Sequence, residues 1–494
     1  MTREVADGHA VEERLAHFRA VRRDLETSVL PLATSVDGRR FSFQASLHGL
    51  ELQPGGYVML GDDRLGQVLA LEMAVREGTD LDLPPDAQSA FGLRTSVPIR
   101  HARGDGTVLE GDGAPFHDVL ARPAAPEEVR QWQERAQPAR AQLAIGELAT
   151  ASGVPFALDA GGFNRHTFLC GQSGSGKTYS LGVILEQLLM ATTLRVVILD
   201  PNSDYVRLTE VRDGVDEETA ARYRRAAAGV EVPALRLRLA DLEPAAQAAL
   251  LRLDPIEDRE EHAELAALLA EEQPPTLEAL ADSERPETRR LVLRARNLGV
   301  DGFGVWARGT PGSLLDALTD EGPRCVVVDL GSLPTREEQS LVAAAVLGEL
   351  WRRREQRNPV LVVIDEAHNV CPARPEDSLV ALATDHAVRI AAEGRKFGIY
   401  MLVSTQRPQK VHENVISQCD NLVLMRLNSA ADAAFAQGVF SFVPASLVER
   451  ATTFRLGEAL VAGKISPDPA LIRFGARLAE EGGADVPSTW ARPT

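Results

Sequence analysis

Residues 166–190, "HTFLCGQSGSGKTYSLGVILEQLLM", constrain the fold of this chain more than any other stretch. A short apolar run leads into the pattern G-x-x-x-x-G-K-T, and a longer apolar run at helical spacing follows. A strand that turns tightly and opens a helix accommodates all three parts. Gly171, Gly174 and Gly176 free the backbone to aim its amides at one point, and the helix N-terminus adds its dipole. Gln172, Ser173 and Ser175 complete the loop. Such a loop cradles a nucleoside triphosphate, ATP being the expected ligand. Lys177 puts a charge on the β and γ oxygens, and the Thr178 hydroxyl suits Mg²⁺. Only Lys177, Lys396, Lys410 and Lys464 are lysines among 53 basic residues. Against that arginine-rich background, a lysine at the required position stands out.

The surrounding pattern supplies the rest of the fold class. The runs "HTFLCG", "LRVVILD", "RCVVVDL", "PVLVVIDE", "GIYMLVST" and "NLVLMRL" are short and apolar, end in polar residues and alternate with helical stretches. This predicts an α/β fold with a parallel sheet covered on both faces, its functional groups beyond the strands' carboxyl ends. In "LVVIDEAH" a buried strand delivers Asp365 to a metal, and Glu366 beside it suits polarising a water for attack on the γ-phosphate. His368 reads as a supporting residue. In "EGRKFGIYMLVSTQRP", Gln406 lies at the end of a strand where it would sense the γ-phosphate. Arg395 precedes that strand, so it would sit at the opposite end of the sheet. From there it reaches a neighbouring subunit's nucleotide more easily than its own.

With 494 residues the chain has room for two or three domains. Residues 1–27 read as an N-terminal helix, and 28–123, with period-2 alternation and Asp-Gly punctuation, as a small β-barrel. The "RGD" at 103–105 reads as a turn. Residues 124–143 form a linker helix, and 144–205 with 323–463 the ATPase core. The acidic, lysine-free stretch 206–322 reads as a helical insertion. "LGEALVAGK" is expected as an edge hairpin, and 464–494 as a polar tail. No apolar run reaches the ~18 residues that a membrane span needs, the N-terminus lacks a secretory pattern, and the four scattered cysteines fit reduced thiols in a cytoplasmic protein. The net charge of −18 excludes a surface coated in nucleic acid and confines any DNA contact to a local basic channel. Arg374, Arg407 and Lys410 are the candidates for it.

Taken in order, "GQSGSGKT", "VVILDPNSDY", "VVIDEAH", "EGRKFGIYMLVSTQRP" and "NLVLMRLN" resemble the HerA/FtsK group of ring-forming, DNA-pumping ATPases, and its HerA branch most. The barrel resembles the HAS-barrel of that branch. The resemblance implies a RecA-like core binding ATP and Mg²⁺, a hexameric homo-oligomer, double-stranded DNA in its central pore, and a nuclease or other effector docked on the barrel. It places Asp200 near the metal and attacking water, Arg165 in contact with nucleotide, and Arg395 across a subunit boundary. The family's D-P-H-G-E-Y is "DPNSDY" here, so Asp204 keeps the charge on a shorter arm. An ATP-regulated scaffold that controls an effector, with little translocation of its own, is the alternative.

Overall fold

The computed structural model describes residues 13, 16–17, 19–20, 23–24, 26–80, 96–137, 141–271, 286–307, 312–319 and 321–483. They form two compact units. The first holds the residues up to 136 together with 148–155 and 444–447, and the second holds the rest. The described residues between 13 and 27 are helical.

Six strands close the barrel of the first unit: β1 (Leu32–Ser35), β2 (Arg40–Ala45), β3 (Tyr57–Leu60), β4 (Arg64–Asp80), β5 (Ser96–Glu110) and β6 (Phe116–Pro123). Their order is β1-β2-β5-β4-β3-β6. In β2 the alternation of buried and exposed residues drives Phe41 and Phe43 into the interior. Helix α1 (Pro126–Ala136) follows. The "RGD" is not a turn. Arg103, Gly104 and Asp105 lie within β5 and pair with β2, Phe43 opposite Gly104. A Cβ on Gly104 would come within 2.4 Å of the Phe43 ring, and one on Gly106 within 2.1 Å of Phe41. These glycines make room for aromatic rings rather than bending the chain.

The second unit is built on an eleven-stranded sheet. Its strands are β7 (Gln142–Leu148), β8 (Pro155–Asp159), β9 (His166–Cys170), β10 (Arg195–Asp200), β11 (Val230–Glu231), β12 (Cys325–Asp329), β13 (Val360–Ile364), β14 (Ile399–Thr405), β15 (Cys419–Met425), β16 (Glu458–Ala462) and β17 (Ala470–Phe474). They lie in the order β11-β12-β10-β13-β14-β9-β15-β16-β17-β7-β8. From β11 to β15 all pairings are parallel. Strands β9 and β13 are buried at every position, as a sheet covered on both faces requires. This is the expected α/β core with a parallel sheet. Helix α2 (Lys177–Ala191) starts from Gly176, whose φ of +90° only glycine adopts without strain. Helix α3 (Arg336–Arg352) is capped by Thr335, whose side chain accepts from the Glu338 amide. Helix α4 (Ser378–Glu393) is capped by Asp377, which accepts from the Leu379 and Val380 amides.

Three boundaries differ from the sequence reading. Helices Glu217–Ala227, Pro244–Leu250, Arg259–Leu269 and Pro286–Leu298 fill the stretch between β10 and β12, but β11 within it also pairs with β12 and lengthens the sheet. "LGEALVAGK" does supply a strand, β16, yet it is not at the edge, because β17, β7 and β8 lie beyond it. Residues 464–483 are not a tail. Ile465, Ala470, Ile472 and Ala479 are fully buried, because this segment finishes the sheet and then packs on α2. The rest of the expected tail, 484–494, lies outside the described residues.

Candidate nucleotide site at the carboxyl edge of the sheet

Strand order explains the site. β14 lies between the phosphate-loop strand β9 and the acid-bearing strand β13, so Ser404, Thr405 and Gln406 fall between Lys177 and Glu366. The Lys177 ammonium lies 2.7 Å from Asp365 Oδ1, 3.1 Å from Glu366 Oε1 and 3.2 Å from Ser404 Oγ. Burial disfavours its charge, but the two carboxylates outweigh that and hold its pKa above the usual lysine value. Asp365 Oδ1 also accepts from Ser404 Oγ at 2.7 Å and from the Glu366 amide at 2.9 Å, and Oδ2 accepts from the Tyr205 hydroxyl at 3.2 Å. Gln406 donates to Glu366 Oε1 at 2.8 Å.

Glu366 adopts φ +42°, a left-handed conformation that costs a non-glycine residue energy and persists where surrounding contacts hold it. His368 Nδ1 lies 3.3 Å from Glu366 Oε2 and 3.1 Å from Thr405 Oγ1. Burial lowers the His368 pKa, and Glu366 opposes that shift. Glu366 Oε2 and Ser175 Oγ are buried without a hydrogen-bond partner. Buried oxygens left without a hydrogen bond suit a polar ligand.

The phosphate loop is fastened from below and from the side. Gly171 donates to the Thr405 carbonyl, Gln172 Nε2 to Asp432 Oδ2 at 3.0 Å, and Arg426 Nη2 to the Gly174 carbonyl at 2.9 Å. Gly171 has no space for a side chain: a Cβ would sit 2.6 Å from Ser175 Oγ. Ser173 and Gly174 are exposed at the loop's crest. Thr178 follows Lys177 in the first turn of α2, where the leading amides have no acceptor within the helix.

The Thr178 hydroxyl and the Asp365 carboxylate are hard oxygen donors, the kind Mg²⁺ prefers. Among the described residues, no three or more His, Cys, Asp or Glu side chains gather as a metal cage.

Asp200 ends β10 within electrostatic reach of Asp365. It is fully buried, and its carboxylate accepts from the amides of Asn202, Asp204 and Tyr205. It thereby shapes the 200–205 loop. Burial raises its pKa to about 6, and Asp204 is raised to about 6 by burial and by Asp365.

Arg165 and Arg395 lie at the other edge. Each precedes a strand parallel to its neighbours, and both reach Asp420, the second residue of β15. The distances are 3.4 Å for Arg165 and 2.5 Å for Arg395. A five-residue strand, roughly 16 Å long, separates Arg165 from the phosphate loop of its own chain. Arg374, Arg407 and Lys410 are exposed and come together: Ala373 donates to the Lys410 carbonyl at 2.8 Å, and Pro372 bridges Val411. Arg374 also lines a cavity of about 310 Å³ beside Asn202, Arg336, His368 and Asn369.

Sequence reasoning missed Ser404, the contact of Tyr205 with Asp365, and Asp420. Ser404 and Tyr205 stood in quoted motifs, and only strand order shows what they touch. Asp420 carried no signal at all.

Fold and site together define a P-loop nucleotide-binding protein with an acidic pair two strands from its phosphate loop. Residues 143–284 match the family described as "Helicase HerA, central domain" (DUF87). The chain is 25% identical to the DNA double-strand break repair helicase HerA of Pyrococcus furiosus over 67% of this chain and 69% of that one. It is 27% identical to the HerA of Sulfurisphaera tokodaii over 40% of each. Among solved structures, VirB4 of Thermoanaerobacter pseudethanolicus aligns with a TM-score of 0.48 at 15% identity, covering 69% of this chain and 97% of that one. Over these stretches the chain is similar to HerA helicases. No helix among the described residues is long and apolar enough to cross a membrane.

Proposed function

We propose that the chain is one subunit of a hexameric ring that hydrolyses ATP to move along double-stranded DNA, with a nuclease or other effector docking on its barrel. The observation that carries this reading is that two arginines lie at the opposite edge of the sheet from the phosphate loop and the acid pair. Lys177, Asp365, Glu366 and Gln406 share the carboxyl edge of the sheet, whereas Arg165 and Arg395 sit together at the amino edge. A subunit docking its amino edge against a neighbour's carboxyl edge would bring two guanidiniums to the neighbour's phosphates, free to leave Asp420 for a more concentrated negative charge.

Triphosphate entering the loop competes with Asp365 and Glu366 for the Lys177 ammonium. Release of Glu366 from Lys177 frees its carboxylate to accept a proton from an attacking water, while Gln406 keeps its hold on Oε1. Mg²⁺ on Thr178 and Asp365 would neutralise charge on the phosphate oxygens. Loss of the γ-phosphate removes what the neighbour's arginines grip, so the boundary relaxes. The paired loops bearing Arg374, Arg407 and Lys410 adjoin Glu366 through His368. They are suited to grip DNA phosphates without reading sequence.

Phosphate release measured with and without duplex DNA tests the proposal. Stimulation by DNA is expected, with Lys177→Ala and Glu366→Ala both inactive. Hydrolysis that ignores DNA, in protein that co-purifies with an effector, would favour the scaffold instead. Activity surviving in both variants would remove the site assignment.

A further inference from the structure

Arg477 lies in the segment after β17, which sequence reading took for a tail. Its side chain is completely buried, where a cation is costly unless paired. Nε donates to Glu186 Oε1 at 3.1 Å, yet Nη1 and Nη2 have no hydrogen-bond acceptor. The guanidinium carbon lies 5.8 Å from the centre of the Tyr205 ring, a cation–π contact. Tyr205 is the residue whose hydroxyl holds Asp365 Oδ2.

Helix α2, which starts at the phosphate loop, is built to receive this arginine. Tyr179, Gly182 and Glu186 lie on one face at spacings of three and four. The Tyr179 hydroxyl accepts from the Arg477 amide at 2.7 Å. A Cβ on Gly182 would come within 2.5 Å of the guanidinium carbon. Glu186 also accepts from the amides of Leu478 and Ala479, at 2.7 and 3.0 Å. Beyond Arg477 the segment runs on to the loop that carries Tyr205. Glu480 donates to the Glu210 carbonyl and Gly482 to the Asp204 carbonyl. A Cβ on Gly482 would lie 1.9 Å from the Ser203 carbonyl oxygen, so only glycine allows the crossing.

We propose that Arg477 is a positioning residue for the metal-side carboxylate Asp365, acting through Tyr205, and that residues 475–483 belong to the nucleotide site. This rests on the reading of that site as one for ATP and Mg²⁺. The segment ties α2 to the 200–205 loop, and Arg477 fixes the Tyr205 ring so that its hydroxyl orients Asp365. An apolar side chain would fill the same volume without the cost of a buried cation, but it would leave the ring unanchored.

The test is binding of N-methylanthraniloyl-ADP to the full chain, measured in excess Mg²⁺ and again in a chelator. Wild type is expected to bind more tightly with Mg²⁺. Arg477→Met, Tyr205→Phe and Gly182→Ala should each weaken the Mg²⁺-dependent part about tenfold, the usual scale for a group that supports a metal ligand, and leave chelator binding unchanged. Arg477→Met added to Tyr205→Phe should bring no further loss, because both act on one hydroxyl. Equal weakening in both buffers would mean a structural role only and overturn the proposal. So would Mg²⁺-dependent binding at the wild-type level in all three variants. If Arg477→Met fails to fold, Tyr205→Phe decides alone, since it leaves the Arg477–Glu186 pair in place. Wild-type protein that binds the probe in neither buffer would refute the nucleotide site itself, and this inference with it.

Discussion

At the scale of single residues, the two edges of the sheet use charge in opposite ways. At the carboxyl edge one buried lysine balances two carboxylates, an arrangement that a triphosphate rearranges. At the amino edge His166 is buried beneath Arg395. Its Nδ1 accepts from the Met401 amide at 3.0 Å, so the ring must stay neutral there. Burial, reinforced by the Arg395 charge, lowers its pKa to about 4. A histidine that titrates near 6.5 when unfolded and near 4 when folded contributes its full stability above pH 6.5 and loses it as pH falls towards 4. The loss is roughly 3 kcal/mol. Urea unfolding at pH 7 and pH 4.5 should therefore show a smaller acid loss for His166→Gln than for wild type. A loss equal in both would mean that His166 is not the group responsible. Asp365 and Glu366 were legible as an acid pair because they are adjacent at the end of an apolar strand. Ser404 was not, because its partners lie 227 and 39 positions away.

At the scale of elements, glycine proved the least readable residue. In the phosphate loop, the positive φ of Gly174 and Gly176 matches what the motif demands. In the barrel the same residue type means close packing, and the sequence "RGDG" looks like a turn only because the ring opposite it is invisible locally. Gly104→Val should destabilise the barrel by about 2–3 kcal/mol through overpacking against Phe43, while nucleotide-analogue affinity stays at the wild-type value. Guanidinium unfolding followed with a binding titration checks both halves. Barrel stability that does not change would show that Phe43 repacks freely. The last strands were misplaced for a related reason. β16 pairs antiparallel with both β15 and β17, beyond the parallel run from β11 to β15, and a hairpin pattern says nothing about whether further strands lie beyond it.

At the scale of the whole molecule, a chain with net charge −18 must keep its DNA contacts local. The proposed contacts sit on two paired loops. Replacing Arg374, Arg407 or Lys410 by alanine should weaken duplex binding for all sequences alike. Each replacement should also lower the slope of log affinity against log salt by about one per phosphate contact removed in each subunit. A slope that stays unchanged in all three would move the contact elsewhere. The proposed use of Arg395 across a boundary makes a second demand. Mixing Arg395→Ala with wild type should depress ATPase activity by more than the mutant fraction, because one defective boundary disables a neighbour's site. A strictly proportional decline would mean that each chain hydrolyses alone. Light scattering with and without nucleotide should find six copies in the complete assembly.

What the sequence by itself determined is local: a strand, a loop and a helix in direct succession around Lys177, and five further apolar strands each ending in a polar residue. These are patterns of contiguous residues, and backbone geometry reads them directly. The tertiary structure alone decided that β14 lies between β9 and β13, which joins Lys177, Ser404, Asp365 and Gln406 into one network. It also decided that Arg165 and Arg395 share Asp420, and that Arg477 comes back to rest on Tyr205. The physical reason is that strand order is set by how helices cover the sheet and by which buried charges find partners. No stretch of neighbouring residues carries that information.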